Sequence, residues 1–126
     1  DTATYLERAN DEILRVVQIE HIDAVRNLDA IFSVPGIDAC FIGPNDLCAS
    51  MGLTPSLEPP HREFDEAIRT ILAAARRHGV APGIHNATAA TASRRIADGW
   101  LMVGCGSDIA YVTGGAKAAR EAIRTA

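Results

Sequence analysis

Apolar and polar positions in this chain alternate with two periods. Leu14, Val16, Gln18 and Glu20 interleave with Arg15, Val17 and Ile19, and a period of two is the mark of a strand with two distinct faces. Gln18 and Glu20 therefore share a face at the C-terminal end of that strand. Ile37 to Gly43 is a second strand, whose apolar run Cys40-Phe41-Ile42 stops at Gly43-Pro44. A short polar loop with one carboxylate, Asp46, follows it. Between the two strands, Asp23 to Phe32 spaces Val25, Leu28 and Phe32 as a single helical stripe, ended by Pro35-Gly36. Upstream, Thr4 to Glu12 reads as the end of a helix with Leu6 and Ala9 inward.

Past the Asp46 loop, Thr54 to Pro60 holds three of the chain's 6 prolines and is not helical. Arg62 to His78 is the clearest helix. Phe64, Ile68, Ile71, Leu72 and Ala75 form its stripe, Glu63, Asp65 and Glu66 open it, and Arg76-Arg77-His78 close it ahead of Gly79. Val80 to His85 is a strand, Thr88 to Ala97 a helix stopped by Asp98-Gly99, and Trp100 to Gly104 a strand. Asp108 is placed to cap a last helix with Ile109, Val112, Ala116, Ala119 and Ile123 on its apolar face, weakened by Gly114-Gly115. Strands alternating with helices predict an α/β fold with a parallel sheet. Four such units suit a small doubly wound sheet or half of a (β/α)8 barrel, which needs ~250 residues when complete.

The 126 residues make one domain, 48% hydrophobic and 22% charged. A net charge of −4 argues against nucleic acid as a partner. No apolar run approaches the ~20 residues of a membrane span, and no signal peptide is visible. Cys40, Cys48 and Cys105 lack metal-ligand spacing and read as free thiols in a reducing cytoplasm. The first residue is Asp1 rather than Met, a hint of a partial chain.

A single acid at a strand end is most often structural, capping the next helix or pairing with Arg. Two from adjacent parallel strands converge on one mouth, where α/β enzymes carry their chemistry and hard divalent cations find oxygen ligands. Both readings of Glu20 and Asp46 stay open on spacing alone. His21 reads as a helix-start residue, His61 and His78 as helix-terminal surface residues, and Cys48 as a small buried filler. Gly104-Cys105-Gly106-Ser107 reads as a tight turn in preference to a phosphate site. No nucleotide-binding glycine motif is present.

Several segments together resemble the HpcH/HpaI class II pyruvate aldolases, the 4-hydroxy-2-oxoheptanedioate aldolase and 2-dehydro-3-deoxyglucarate aldolase type. They are Val17-Gln18-Ile19-Glu20, Val34-Pro35-Gly36-Ile37-Asp38, Phe41-Ile42-Gly43-Pro44-Asn45-Asp46-Leu47, Ser50-Met51-Gly52 and Ala81-Pro82-Gly83-Ile84, with Glu20 and Asp46 26 residues apart. The resemblance spans nearly the whole chain. It implies that residues 1–126 are a single partial domain, the C-terminal half of a (β/α)8 TIM barrel from about its fifth strand to its eighth helix. The N-terminal half-barrel would then be a missing partner.

The resemblance also implies a mechanism and a site. Glu20 and Asp46 would hold Mg²⁺, Mn²⁺ or Co²⁺, which a 2-oxo acid chelates, and the enzyme would cleave 4-hydroxy-2-oxo acids to pyruvate and an aldehyde. Gln18 would hydrogen-bond the oxo acid. Backbone N–H groups around Gly43, Pro44, Asn45 and Asp46, at the start of a short helical turn, would bind its carboxylate, although Pro44 has no N–H to give. By the same resemblance His85 falls where the family lines the aldehyde side of its pocket, a position that can be apolar, so a histidine there argues against a closely analogous substrate. A histidine merely satisfied by a loop carbonyl is the competing reading. The family's catalytic base and Arg belong to the other half, so no residue here takes those roles. Relatives of this kind are commonly hexamers, which implies a homo-oligomer. The alternatives are a C–C lyase of the citrate lyase β or malyl-CoA type, and a non-catalytic α/β binding or assembly module.

Overall fold

The computed structural model describes residues 2–124. In chain order they form α1 (Thr2–Glu12), β1 (Val16–Gln18), α2 (Ile22–Arg26), α3 (Leu28–Phe32), β2 (Ala39–Ile42), α4 (Pro44–Ser50), α5 (Arg62–His78), β3 (Ala81–Asn86), α6 (Ala89–Asp98), β4 (Met102–Cys105) and α7 (Asp108–Arg124). The four strands make one parallel sheet in the order β1-β2-β3-β4. Gln18 pairs with Phe41, Phe41 with Gly83 and Gly83 with Met102, so these four residues form one row across the sheet. The next alternate positions up the strands are Glu20, Gly43, His85 and Gly104.

The two faces of the sheet differ. Ile19, Cys40, Ile42 and Ile84 are buried in one apolar core with Leu28 and Phe32 of α3, Leu47 and Cys48 of α4, and Phe64, Ile68 and Ile71 of α5. The stripe expected for α5 is the stripe that is buried. The opposite face carries Val16, Gln18, Phe41, His85 and Met102, of which Val16 and Met102 stand exposed and Phe41 and His85 half-buried. Gln18 and Glu20 are thus on the open face, and Val17 and Ile19 on the packed one, as their alternation requires.

Several expectations are corrected. The segment from Asp23 to Phe32 is two short helices, because Asn27 leaves helical geometry (φ −117°, ψ 20°) and closes α2 by donating its N–H to Ala24 O. Asn competes poorly inside helices because its side chain favours non-helical local bonds. The Asp46 segment is a helix, α4, rather than a polar loop: Pro44 takes the first position, where no N–H is needed, and Leu47 and Cys48 are fully buried. The first strand is shorter than its alternation, since β1 has one neighbour only, although Ile19 N–H still bonds Phe41 O at 2.9 Å. The last strand is displaced toward its C-terminal end, to Met102–Cys105. Leu6 of α1 is exposed, and neither α1 nor α7 buries a residue. α7 runs unbroken through Gly114-Gly115.

Helix ends follow their sequence signals. Gly79 and Gly99 close α5 and α6 in the left-handed conformation that glycine adopts without strain (φ 69° and 93°). Thr88 Oγ1 caps α6 by accepting from Thr91 N–H at 3.2 Å. At α7 the cap is Ser107 rather than Asp108: Ser107 Oγ accepts from Ala110 N–H, whereas Asp108 Oδ1 accepts from its neighbour Ile109 N–H. Among the described residues no helix is long and apolar enough to cross a membrane.

Candidate active site

At the C-terminal ends of β1 and β2, the chain builds a pair of carboxylates around a glycine. Glu20 follows β1 by two residues and stays on the open face. Gln18 Nε2 donates to Glu20 Oε2 at 3.1 Å, so both side chains point the same way. Asp46 lies in the first turn of α4, with Gly43 as the residue before the helix. A Cβ placed on Gly43 would lie 2.6 Å from Glu20 Oε2 and 3.3 Å from Asp46 Oδ2. The two oxygens can be no farther apart than those two distances laid end to end. One octahedral cation with bonds of ~2.1 Å holds two oxygens about 3 to 4.2 Å apart, a range inside that limit.

The donor set suits a hard cation. Two carboxylates supply oxygen only, and among the described residues no third His, Cys, Asp or Glu joins a metal-binding group. Such a pair leaves most of an octahedron to water or to a bidentate ligand. The start of α4 adds donors. Asn45 and Asp46 are early helical positions whose N–H groups have no intrahelical acceptor, and no described group accepts from them. Pro44 is buried and Asn45 exposed. α4 is held in place because Ser50 Oγ accepts from Ile22 N–H at 3.0 Å and donates to Leu47 O at 2.8 Å. The helix carrying one acid is thereby tied to the helix that follows the other.

His85 stands on the same open face, two strands from Glu20. Its Nδ1 is 2.9 Å, and Phe41 Cζ 3.4 Å, from where a Cβ of Gly104 would be. Phe41 Cδ2 lies 2.7 Å from the corresponding point on Gly83, so the ring spans two glycines to reach His85. Among the described residues the His85 ring has no hydrogen-bond partner; no loop carbonyl satisfies it.

The remaining candidates have local roles. His21 Nδ1 accepts from Asp23 N–H at 3.2 Å and so opens α2. His61 precedes α5 without a capping bond. His78 is not merely on the surface: its Nε2 is 2.8 Å from Asp29 Oδ1, and its ring meets Phe32 edge-on at 6.3 Å. Burial pushes the Cys40 and Cys48 thiols up, away from thiolate chemistry. The turn after β4 is a tight one: Gly106 N–H bonds Asn86 O at 2.8 Å, and Asp108 and Ser107 side chains accept from the N–H groups of Ile109 and Ala110.

Sequence reasoning overlooked three features. Buried Asn86 ties β3 to β4 by donating Nδ2 to Ile84 O and Gly104 O; a polar residue ending an apolar strand was its signal. Glu58, in the proline-rich segment, accepts from Thr88 Oγ1 at 3.0 Å. Hydrogen bonding to Thr91 and Thr88 lowers its pKa. A groove of about 740 Å³ between α5 and α6, lined by Asp65, Arg69, Arg94, Arg95 and Trp100, holds neither carboxylate of the pair.

Residues 3–113 match the model of the HpcH/HpaI aldolase/citrate lyase family. Over 114 residues the chain is 43% identical to a 4-hydroxy-2-oxo-heptane-1,7-dioate aldolase of Salmonella paratyphi B, covering 90% of this chain and 43% of that protein. The fold is similar to the crystal structure of an HpcH/HpaI aldolase/citrate lyase family protein from Burkholderia cenocepacia, with TM-score 0.89 and 29% identity over 98% of this chain and 47% of that one. It is also similar to an HpcH/HpaI aldolase from Desulfitobacterium hafniense, with TM-score 0.85 and 30% identity over 98% of this chain and 48% of that one. The chain spans less than half the length of these relatives.

Proposed function

The chain belongs to the HpcH/HpaI aldolase/citrate lyase family, and from that premise we propose that it is the C-terminal half of a metal-dependent aldolase barrel that splits 4-hydroxy-2-oxo acids into pyruvate and an aldehyde. The observation that carries this reading is the approach of Glu20 Oε2 and Asp46 Oδ2 beside Gly43, at the C-terminal ends of adjacent parallel strands. Glu20 and Asp46 would hold Mg²⁺, Mn²⁺ or Co²⁺, which when bound supplies Lewis-acid polarisation of the substrate's keto group.

This chain's own residues bind and orient. Gln18 offers its amide to the oxo acid from the face it shares with Glu20. The unclaimed N–H groups of Asn45 and Asp46 receive the substrate carboxylate, and Gly43 and Pro44 shape the turn that aims them. His85 borders the departing aldehyde. The proton of the aldol hydroxyl goes to a base outside this chain, and the Arg that assists at the carbonyl belongs to that other half as well.

The half-barrel reading draws support from four consecutive parallel strands with one face packed, one face open and free edges at β1 and β4. The missing N-terminal half would cover that face. Assembly as a homo-oligomer and residence in the cytoplasm belong to the same reading, the latter supported by three free cysteines. In the complete protein, Glu20→Gln and Asp46→Asn should each abolish Mn²⁺-dependent pyruvate release while leaving the circular dichroism spectrum unchanged. Metal-dependent turnover surviving in either variant would overturn the assignment.

A further inference from the structure

We infer that Gly43 and Gln18 are positioning residues that fix the Glu20 carboxylate for a shared cation, an inference that rests on the metal-site reading above. Gly43 has φ −91° and ψ 98°, an extended conformation open to any residue, so its backbone does not call for glycine. Space does. A Cβ would sit 2.6 Å from Glu20 Oε2, closer than non-bonded atoms approach, and 3.3 Å from Asp46 Oδ2. The struck atom is the tip of a flexible side chain rather than backbone. Alanine at this position therefore leaves the fold standing and moves the carboxylate instead.

Gln18 acts on the same oxygen from the other side. Its Nε2–H on Glu20 Oε2 at 3.1 Å restrains the carboxylate that Gly43 leaves room for. The bond occupies one lone pair of four, so the carboxylate keeps the capacity to bind a cation. Gln18 comes two residues before Glu20 on one strand, and Gly43 directly follows the neighbouring strand, so the restraint is built on the sheet and not on a loop. A residue that orients a metal ligand without touching the metal typically changes metal affinity ~10–100-fold when lost.

The test is Mn²⁺ binding itself, read from the electron paramagnetic resonance signal of free Mn²⁺ during titration of the complete protein. Gly43→Ala should weaken binding ~10–100-fold with an unchanged melting temperature in the absence of metal. Gln18→Met, which keeps the length and removes the donor, should weaken it in the same direction. Glu20→Asp should partly rescue Gly43→Ala, because a side chain one methylene shorter clears the new Cβ; the double variant then binds more tightly than the two single losses combined would give. Wild-type affinity in Gly43→Ala or Gln18→Met, with Mn²⁺ binding lost in Glu20→Gln, would overturn the inference and leave the metal site standing. Wild-type affinity in Glu20→Gln and Asp46→Asn would overturn both. Should Gly43→Ala not fold, Gln18→Met decides.

Discussion

Glu20 and Asp46 bring two like charges to either side of Gly43, an arrangement that a cation between them would favour. Of the two, Glu20 receives a donor, Gln18 Nε2, while the N–H groups of Asn45 and Asp46 at the start of α4 stay unclaimed among the described residues. His85 is the other residue at this scale with an open end, a half-buried ring whose nitrogens have no partner among the described residues, beside Phe41 and Gly104. His85→Leu should reorder the ranking of aldehyde acceptors by ~1–3 kcal/mol, the cost of leaving or relieving an unpaired polar group, while pyruvate binding stays constant. Competition kinetics with polar and apolar acceptors would show it, and an unchanged ranking at normal activity would make His85 structural. Glu20 was legible in sequence because an alternating run that ends at an acid puts that acid at a strand's C-terminal end, and Asp46 because it follows closely on the Gly43-Pro44 stop of an apolar run, although the helix that carries it was not. Gly43's spacing and the Gln18–Glu20 bond were not, because they depend on which way two oxygens point. Nor was His78's partner, since α3 brings Asp29 to it from 49 residues away.

At the scale of elements, α5 could be read in full because its stripe, its terminal charges and its glycine cap agree. α4 could not: seven residues, opened by Pro and two polar side chains, have no helical period to detect, and burial of Leu47 and Cys48 forms the helix. α3 and α5 meet in a clasp, where Asp29 Oδ1 accepts from Arg77 Nη2 at 2.7 Å and lies 2.8 Å from His78 Nε2. These bonds, His78's first and Arg77's second, lower the pKa of Asp29. A carboxyl lowered in the folded state stabilises the fold above its unfolded pKa, and that contribution is lost as pH falls through the folded value. Asp29→Asn should therefore lower the melting temperature at neutral pH, with the gap from wild type closing in strong acid. Because Asp29 is 70% exposed, salt should narrow the gap as well. A gap that persisted in acid would show that the clasp acts through shape and not through charge.

At the scale of the molecule, a parallel sheet packed on one side exposes Val16 and Met102 on the other and leaves unpaired backbone along β1 and β4. The chain on its own should associate in solution and release no pyruvate from a 4-hydroxy-2-oxo acid even with Mn²⁺, because a missing general base costs ~10²–10⁴-fold. Light scattering and a coupled pyruvate assay on the isolated chain test this, and a monomer that turns over would refute the half-barrel reading.

The order of the strands has a consequence in time. Spatial order here equals chain order, so each strand's first partner is its nearest neighbour in sequence, and loop closure stays short for a parallel sheet. Glu20, Gly43 and Asp46 all belong to the first two strand–helix units, and the bond from Ile22 N–H to Ser50 Oγ closes those units on each other. As the chain leaves the ribosome, the carboxylate pair is thus complete in sequence before β3 has been made. Pulse-labelled hydrogen exchange during refolding should protect the amides of β2 no later than those of β4, and the reverse order would show that the site is assembled last.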